Sequence, residues 1–163
     1  HPMTGTEKNV PKAAIDNLYE GKTVVLCDLE DNANMHVNKA FKIFQEIGMR
    51  IVVMNSHEHD VNACYISHLP HLISFGLANT VMSHQNPKEI IALAAGGFKD
   101  MSRIAKSSPR MWGDIFKQNR ENMLESIKSF EDQMNEAKKM IEEERYEDLE
   151  NWMKKANSLH EIL

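Results

Sequence analysis

Cysteine is scarce: the 163 residues hold 2, Cys27 and Cys64. Two isolated thiols cannot build a disulfide framework, so a reducing, cytoplasmic setting is expected. Long apolar runs are missing as well. None reaches the roughly 18 residues of a membrane span, and the opening residues do not read as a secretion signal. No excess of positive charge exists either. The 19 Lys+Arg face 24 Asp+Glu, for a net charge of −5. That balance argues against a generic nucleic-acid or anionic-membrane binder, because both need a basic surface. There is no internal repeat and no low-complexity segment.

What is present suits one medium domain, or one domain plus part of another. With 42% hydrophobic residues, a chain of this length can bury a core, typically roughly 70% of its unfolded surface. The 8 His and 11 Met are the unusual counts, and the histidines cluster. The chain opens on His1-Pro2-Met3 rather than an initiator Met. A processed chain, or an excised piece of a longer protein, is therefore expected.

Residues 1–21 are polar and punctuated, and read as a loop with a short helix over 13–18. Residues 22–28, Lys-Thr-Val-Val-Leu-Cys-Asp, are β-branched and apolar up to an acidic end, which predicts a buried strand. Apolar residues at near-helical spacing predict a helix over 34–47, stopped by Gly48. Residues 50–54, Arg-Ile-Val-Val-Met, predict a second strand. Strand, helix, strand is one βαβ unit of a parallel sheet. One such unit is not a sheet, which again points to a missing portion.

Beyond His59 the pattern is helical. A helix is predicted over 60–82, kinked at Pro70, which has no N–H for the Ile66 carbonyl. Another follows over 86–95, then a break at Gly96-Gly97 and a short helical piece over 98–105. Ser108 with Pro109 makes a good helix start. From there an apolar stripe runs to Ile141 with one gap at Asn119/Arg120. One helix over 109–141 would be roughly 50 Å long, and a stripe of that length predicts a homodimer with interlocked helices. A break near Asn119, giving two ordinary core helices, is the alternative. Glu142-Glu143-Glu144 reads as a solvated face or corner, and a last helix carries Leu149, Trp152, Met153, Ala156 and Leu159.

The chemistry-bearing stretch is 57–71. On an ideal helix Asp60, Cys64, Ser67 and His71 fall within about 60° of one another, and His68 lies about 60° further round. A carboxylate, a hydroxyl and one or two imidazoles thus share a face of an otherwise apolar helix. They need partners, since unsatisfied buried polar groups are costly. Beside a kink they could wall a small polar pocket, or be ordinary packed residues. His57 with His59, or His68 with His71, could ligate a metal. No Cys pair or carboxylate–His motif completes such a set, so no metal is expected. Arg103 follows the Gly-Gly break in an apolar stretch and needs an anionic partner, either a protein carboxylate or a substrate one.

Five blocks, in order and spacing, carry a resemblance. They are His1-Pro2-Met3-Thr4-Gly5-Thr6-Glu7; Glu58-His59-Asp60 with Ala63; Ser67-His68-Leu69-Pro70-His71; Ala95-Gly96-Gly97-Phe98-Lys99-Asp100-Met101-Ser102-Arg103-Ile104-Ala105; and Pro109-Arg110-Met111-Trp112. Together they closely resemble the prephenate dehydrogenases, with their arogenate-using relatives, over nearly the whole chain and least after Asn119. The Ser-His-Leu-Pro-His block is the specific one. The resemblance implies a mainly α fold: an all-helical, phosphogluconate-dehydrogenase C-terminal-like dimerisation domain over 58–163. Before it, over 1–57, would stand a residual β-α-β piece of a Rossmann-type nucleotide-binding domain. The chain departs from the family in having no Gly-x-Gly-x-x-Gly after a strand and no acidic ribose-binding residue beyond it.

By resemblance, the parent reaction belongs to tyrosine biosynthesis. NAD takes a hydride from the prephenate carbon bearing the hydroxyl, the ring carboxylate leaves as CO2, and 4-hydroxyphenylpyruvate forms. The resemblance makes His1 the catalytic group that binds the hydroxyl and takes its proton, a task suited to a neutral imidazole. It places Arg103 on the ring carboxylate and His71 near the side-chain end of the substrate. Helix geometry adds Ser67 as a substrate contact, with Asp60 and His68 in support. Gly96 and Gly97 would let backbone approach the ligand. A chain without the NAD site is expected to be inactive by itself. A non-enzymatic helical dimerisation module is the competing function.

Overall fold

A computed structural model describes residues 1–5 and 14–163. Thr6 and Glu7 of the opening block, and Ala13 of the helix expected over 13–18, lie outside the described residues. Over 14–21 the chain makes turns, not that helix. Leu18 N donates to Ile15 O at 3.3 Å and Glu20 N to Asn17 O at 3.2 Å, and bonds spanning three residues close turns instead of an α-helical ladder. The chain forms two compact units, His1–Asn122 and Met123–Leu163.

In the first unit, β1 (Thr23–Cys27) and β2 (Arg50–Met54) pair in parallel, from Thr23 opposite Arg50 to Cys27 opposite Met54. Helix α1 (Asn34–Glu46) makes the crossover, as a parallel pair requires. The opening residues take the other side of β1. Pro2 bridges antiparallel to Val24, Met3 N donates to Thr23 O at 2.8 Å, and Val25 N donates to His1 O at 2.9 Å. Val24 and Val25 are consequently buried. Backbone pairing to a buried strand thus fixes where His1 sits.

The stop after α1 is a two-bond cap. Gly48 N donates to Gln45 O at 3.0 Å and Met49 N to Phe44 O at 2.9 Å, with Gly48 at φ 81° and Met49 buried behind it. This is the Schellman arrangement that a left-handed glycine permits.

The helix predicted over 60–82 starts four residues earlier. Asn55 accepts from Glu58 N at 2.8 Å while Glu58 Oε2 accepts from Asn55 N at 3.4 Å, a reciprocal cap on α2 (Ser56–Ala63). Asp28, just past β1, adds a third link by accepting from Ser56 N at 2.8 Å. Instead of a simple kink at Pro70, Cys64–His68 form a π-helical turn, with Leu69 N donating to Cys64 O. Then α3 (Leu69–Met82) continues with Pro70 in its first turn. The hydrogen-bond register changes beside the residue that has no N–H to give.

Helix α4 is Pro87–Ala92 and α5 is Gly96–Ser102, followed by a 3-10 turn over Arg103–Lys106. The two glycines therefore begin a helix. The long helix over 109–141 is two helices, α6 (Pro109–Gln118) and α7 (Arg120–Glu142). Asn119 leaves helical geometry at φ −109°, ψ 35°, so the break near Asn119 is the arrangement found.

In the second unit, Met123, Ser126, Ala137 and Met140 of α7 are buried. The acidic run forms the exposed corner into α8 (Tyr146–Asn157). Glu144 turns left-handed at φ 54°, and Arg145 N returns to Met140 O at 2.8 Å. Trp152 Nε1 donates to Gln133 Oε1 at 3.0 Å, joining α8 to α7. Among the described residues no helix is long and apolar enough to cross a membrane.

A Cβ at Gly48 would meet only Glu20 Cγ at 3.6 Å, so the cost of Gly48→Ala is the left-handed backbone alone. Urea unfolding should show a loss of about 1–2 kcal/mol, with the fold unchanged by circular dichroism.

Candidate active site

A cavity of about 780 Å³ opens in the first unit, within the usual range for small-molecule sites. Its walls come from four places in the chain. Residues 1–5 supply His1; the π turn and α3 supply Ser67 and His71; the 3-10 turn supplies Arg103; and α6 supplies Trp112. Among the described residues lining it none is acidic. One guanidinium, two imidazoles and an indole face a common space, which suits an anion carrying a ring.

The two imidazoles are both held by Nδ1. His71 Nδ1 lies 2.8 Å from Ser67 O; a carbonyl only accepts, so Nδ1 carries the proton. The His71 ring stacks on Trp112 with centroids 3.7 Å apart and planes inclined by 25°. Trp112 is buried, with Phe116 beyond it at 5.6 Å, and among the described residues its Nε1 has no hydrogen-bond partner. Ser74 Oγ ties α3 to the end of α5 through Met101 O at 2.8 Å. Ser107 Oγ closes the Arg103–Lys106 turn on Ile104 O at 2.6 Å. His1 Nδ1 lies 2.7 Å from His59 Nε2, and His59 Nδ1 lies 2.8 Å from Asp60 Oδ1.

Four of the residues singled out in the sequence therefore meet at the cavity: His1, Ser67, His71 and Arg103. Four others do not line it. Asp60 sits behind His59, and its backbone carbonyl accepts from Asn119 Nδ2 at 2.8 Å. His68 turns to the same Asn119, Nδ1 to Nδ2 at 3.2 Å. The π turn explains this split, because its extra residue takes Asp60 and Cys64 off the face that Ser67 and His71 share. Gly96 and Gly97 are exposed at the start of α5, where an added Cβ would meet nothing within 4 Å. No close backbone approach in the described structure requires glycine at either position.

Sequence reasoning missed the roles of His59 and Trp112. Both stand in blocks that carry the family resemblance, but by residue type His59 reads as a possible metal ligand and Trp112 as part of an apolar stripe, and neither reading assigns a place at the site. Among the described residues no group of three or more His, Cys, Asp or Glu side chains is placed to hold a metal ion.

The family model described as prephenate dehydrogenase, dimerization domain, matches residues 55–155. The chain belongs to the prephenate dehydrogenase family. The model of that family's nucleotide-binding domain matches residues 1–53. Prephenate dehydrogenase of Bacillus subtilis is 29% identical, across 100% of this chain and 44% of its own length. Cyclohexadienyl dehydrogenase of Zymomonas mobilis is 33% identical, across 80% of this chain and 45% of its own. The crystal structure of prephenate dehydrogenase from Aquifex aeolicus in complex with hydroxyphenyl propionate and NAD+ has a TM-score of 0.91 and 36% identity. It covers 100% of this chain, which covers 58% of it. The chain thus spans somewhat less than half the length of these curated relatives.

NAD belongs to the family's chemistry, but the segment after β1 does not fit a dinucleotide. A diphosphate needs glycine-bared N–H groups at a helix N-terminus. Here β1 runs into Asp28 at φ 51°, ψ 50° and a 3-10 turn bearing Glu30 and Asp31. Three carboxylates in that place would repel it.

Burial lowers the His68 pKa, outweighing the opposing pull of Asp60. The folded chain thus binds fewer protons than the unfolded one as pH falls below the usual imidazole value of about 6.5. The contribution is fully present above that value and is lost as pH drops toward the folded one. Urea unfolding at pH 7.5 and 5.5 should show lower stability at the acid pH, with the difference reduced in His68→Gln.

Proposed function

We propose that this chain forms the substrate side of a prephenate dehydrogenase. The whole reaction is oxidative decarboxylation of prephenate to 4-hydroxyphenylpyruvate. The observation that carries this reading is the convergence of His1, Ser67, His71 and Arg103 on one cavity with no acidic residue among its described lining. NAD, the family's cofactor, would supply the hydride acceptor. The residues present here would do the rest.

His1 would take the ring hydroxyl proton as the hydride leaves the same carbon, and return it to the ring oxygen as loss of CO2 makes the ring a phenol. Arg103 would hold the ring carboxylate with its planar guanidinium. His71, with Nε2 free of the Ser67 bond, and Ser67 itself would face the side-chain end. Asp60 and His68 would act from behind the wall. The domain boundary falls between 57 and 58 on this reading. The chain assembles as a homodimer through its C-terminal helices, where Leu124, Met134, Ile141 and Met153 are each about half exposed. Sedimentation should return about twice the 18.7 kDa of one chain.

Mixing the chain with prephenate and NAD+ should yield no NADH. Calorimetry should nevertheless detect 4-hydroxyphenylpyruvate binding. Charge-assisted hydrogen bonds contribute roughly 1.5–3 kcal/mol, so Arg103→Ala should weaken the binding of prephenate, which still carries the ring carboxylate, roughly ten- to hundredfold in the same measurement. Unchanged affinity would overturn the carboxylate role. No binding at millimolar ligand by the unaltered chain would favour a dimerisation module without a substrate site.

A further inference from the structure

The side chains behind His1 form an ordered line. His1 Nδ1 meets His59 Nε2 at 2.7 Å, and His59 Nδ1 meets Asp60 Oδ1 at 2.8 Å. The His59 side chain is only 14% exposed, whereas that of Asp60 is 57% exposed. The imidazole rings of His1 and His59 meet edge to face, centroids 4.8 Å apart. The backbones of both histidines are anchored. His1 is held to β1 through its own N and O, at 2.7 and 2.9 Å from Val25 O and N. His59 stands in the first turn of α2, whose start is capped by Asn55, Glu58 and Asp28.

We propose that His59 and Asp60 are positioning residues that hold His1 in the tautomer with its proton on Nδ1 and a bare Nε2. The proton count allows one arrangement when both rings are neutral. An ionised carboxylate only accepts, so His59 Nδ1 carries a proton. A neutral imidazole has one N–H, so His59 Nε2 is bare and accepts. His1 Nδ1 therefore donates, and Nε2 is the nitrogen left for a ligand in the cavity. A proton arriving at Nε2 leaves both hydrogen bonds as they were, and the new charge sits in line with the Asp60 carboxylate. The same logic orients the imidazole of a Ser-His-Asp triad, where the acid fixes the tautomer. Here a second imidazole stands between.

This inference rests on His1 being the proton acceptor, but its test reads the ring directly. The 163-residue chain, labelled with 15N-histidine, is examined by two-bond 1H–15N correlation about two pH units above the usual imidazole pKa of about 6.5. The His1 Nδ1 signal should stand at the protonated position and Nε2 at the bare one. In His59→Phe, and independently in Asp60→Ala, the two signals should move toward the opposite order, in which Nε2 is mainly protonated. Circular dichroism checks each variant for folding. A His1 protonated mainly on Nε2 in the unaltered chain would overturn the proposal, and so would an unchanged Nδ1–H form in either folded variant. Titration of the unaltered chain with 4-hydroxyphenylpyruvate separates the two ideas. A correct tautomer with no response of the His1 signals would retire the acceptor role while leaving the relay standing.

Discussion

One hydrogen bond, from Leu69 N to the Cys64 carbonyl, decides how the polar residues of the central helix are shared out. It spans five residues where an α-helix spans four. Upstream, His59 and Asp60 are turned toward His1 at the edge of the sheet. Downstream, Ser67 and His71 are turned into the cavity, against Trp112. With a uniform α-helix the Asp60, Ser67 and His71 side chains would share one face, and the residues behind His1 would not be separated from those that line the cavity. The π turn is thus what lets one helix serve both the back and the wall of the site.

The two imidazoles at the cavity are treated alike. Each commits Nδ1 to a partner within its own wall, Ser67 O for His71 and His59 Nε2 for His1. Each therefore offers Nε2 outward. Arg103 supplies the fixed positive charge, on a 3-10 turn tied down by the Ser107 hydroxyl. A site arranged this way suits an anion and a group that gives up a proton, with its own hydrogen bonds left in place. The segment after β1 is the opposite in character, acidic and without glycine, and the family's dinucleotide chemistry finds no foothold there.

Much of the fold was legible in the residues. The two strands, the crossover helix and its stop at Gly48 follow from short β-branched apolar runs, from near-helical apolar spacing and from one glycine free to turn left-handed. The break at Asn119 could be seen as a gap in the apolar stripe, but not decided. A polar pair at a helix surface is compatible with either outcome, and the choice depends on what Asn119 bonds. It bonds the Asp60 carbonyl and His68, both remote in sequence. The helix start at Ser56 was missed because the Asn55–Glu58 cap precedes the apolar periodicity that marks the helix.

The sequence by itself determined the family, the residue types of the site and the order in which they arrive. Those are properties of spacing, and spacing survives in a linear string. Tertiary structure alone decided which residues meet. His59 looked like half of a metal pair until the pairing of His1–Met3 with β1 brought His1 to it across 58 positions. Trp112 looked like one more apolar residue until the fold laid the His71 ring against it. Gly96 and Gly97 read as a break in the chain, and the fold makes them the start of a helix. Hydrogen-bond register and long-range backbone pairing set these outcomes, and both depend on partners too distant in the chain for periodicity to name.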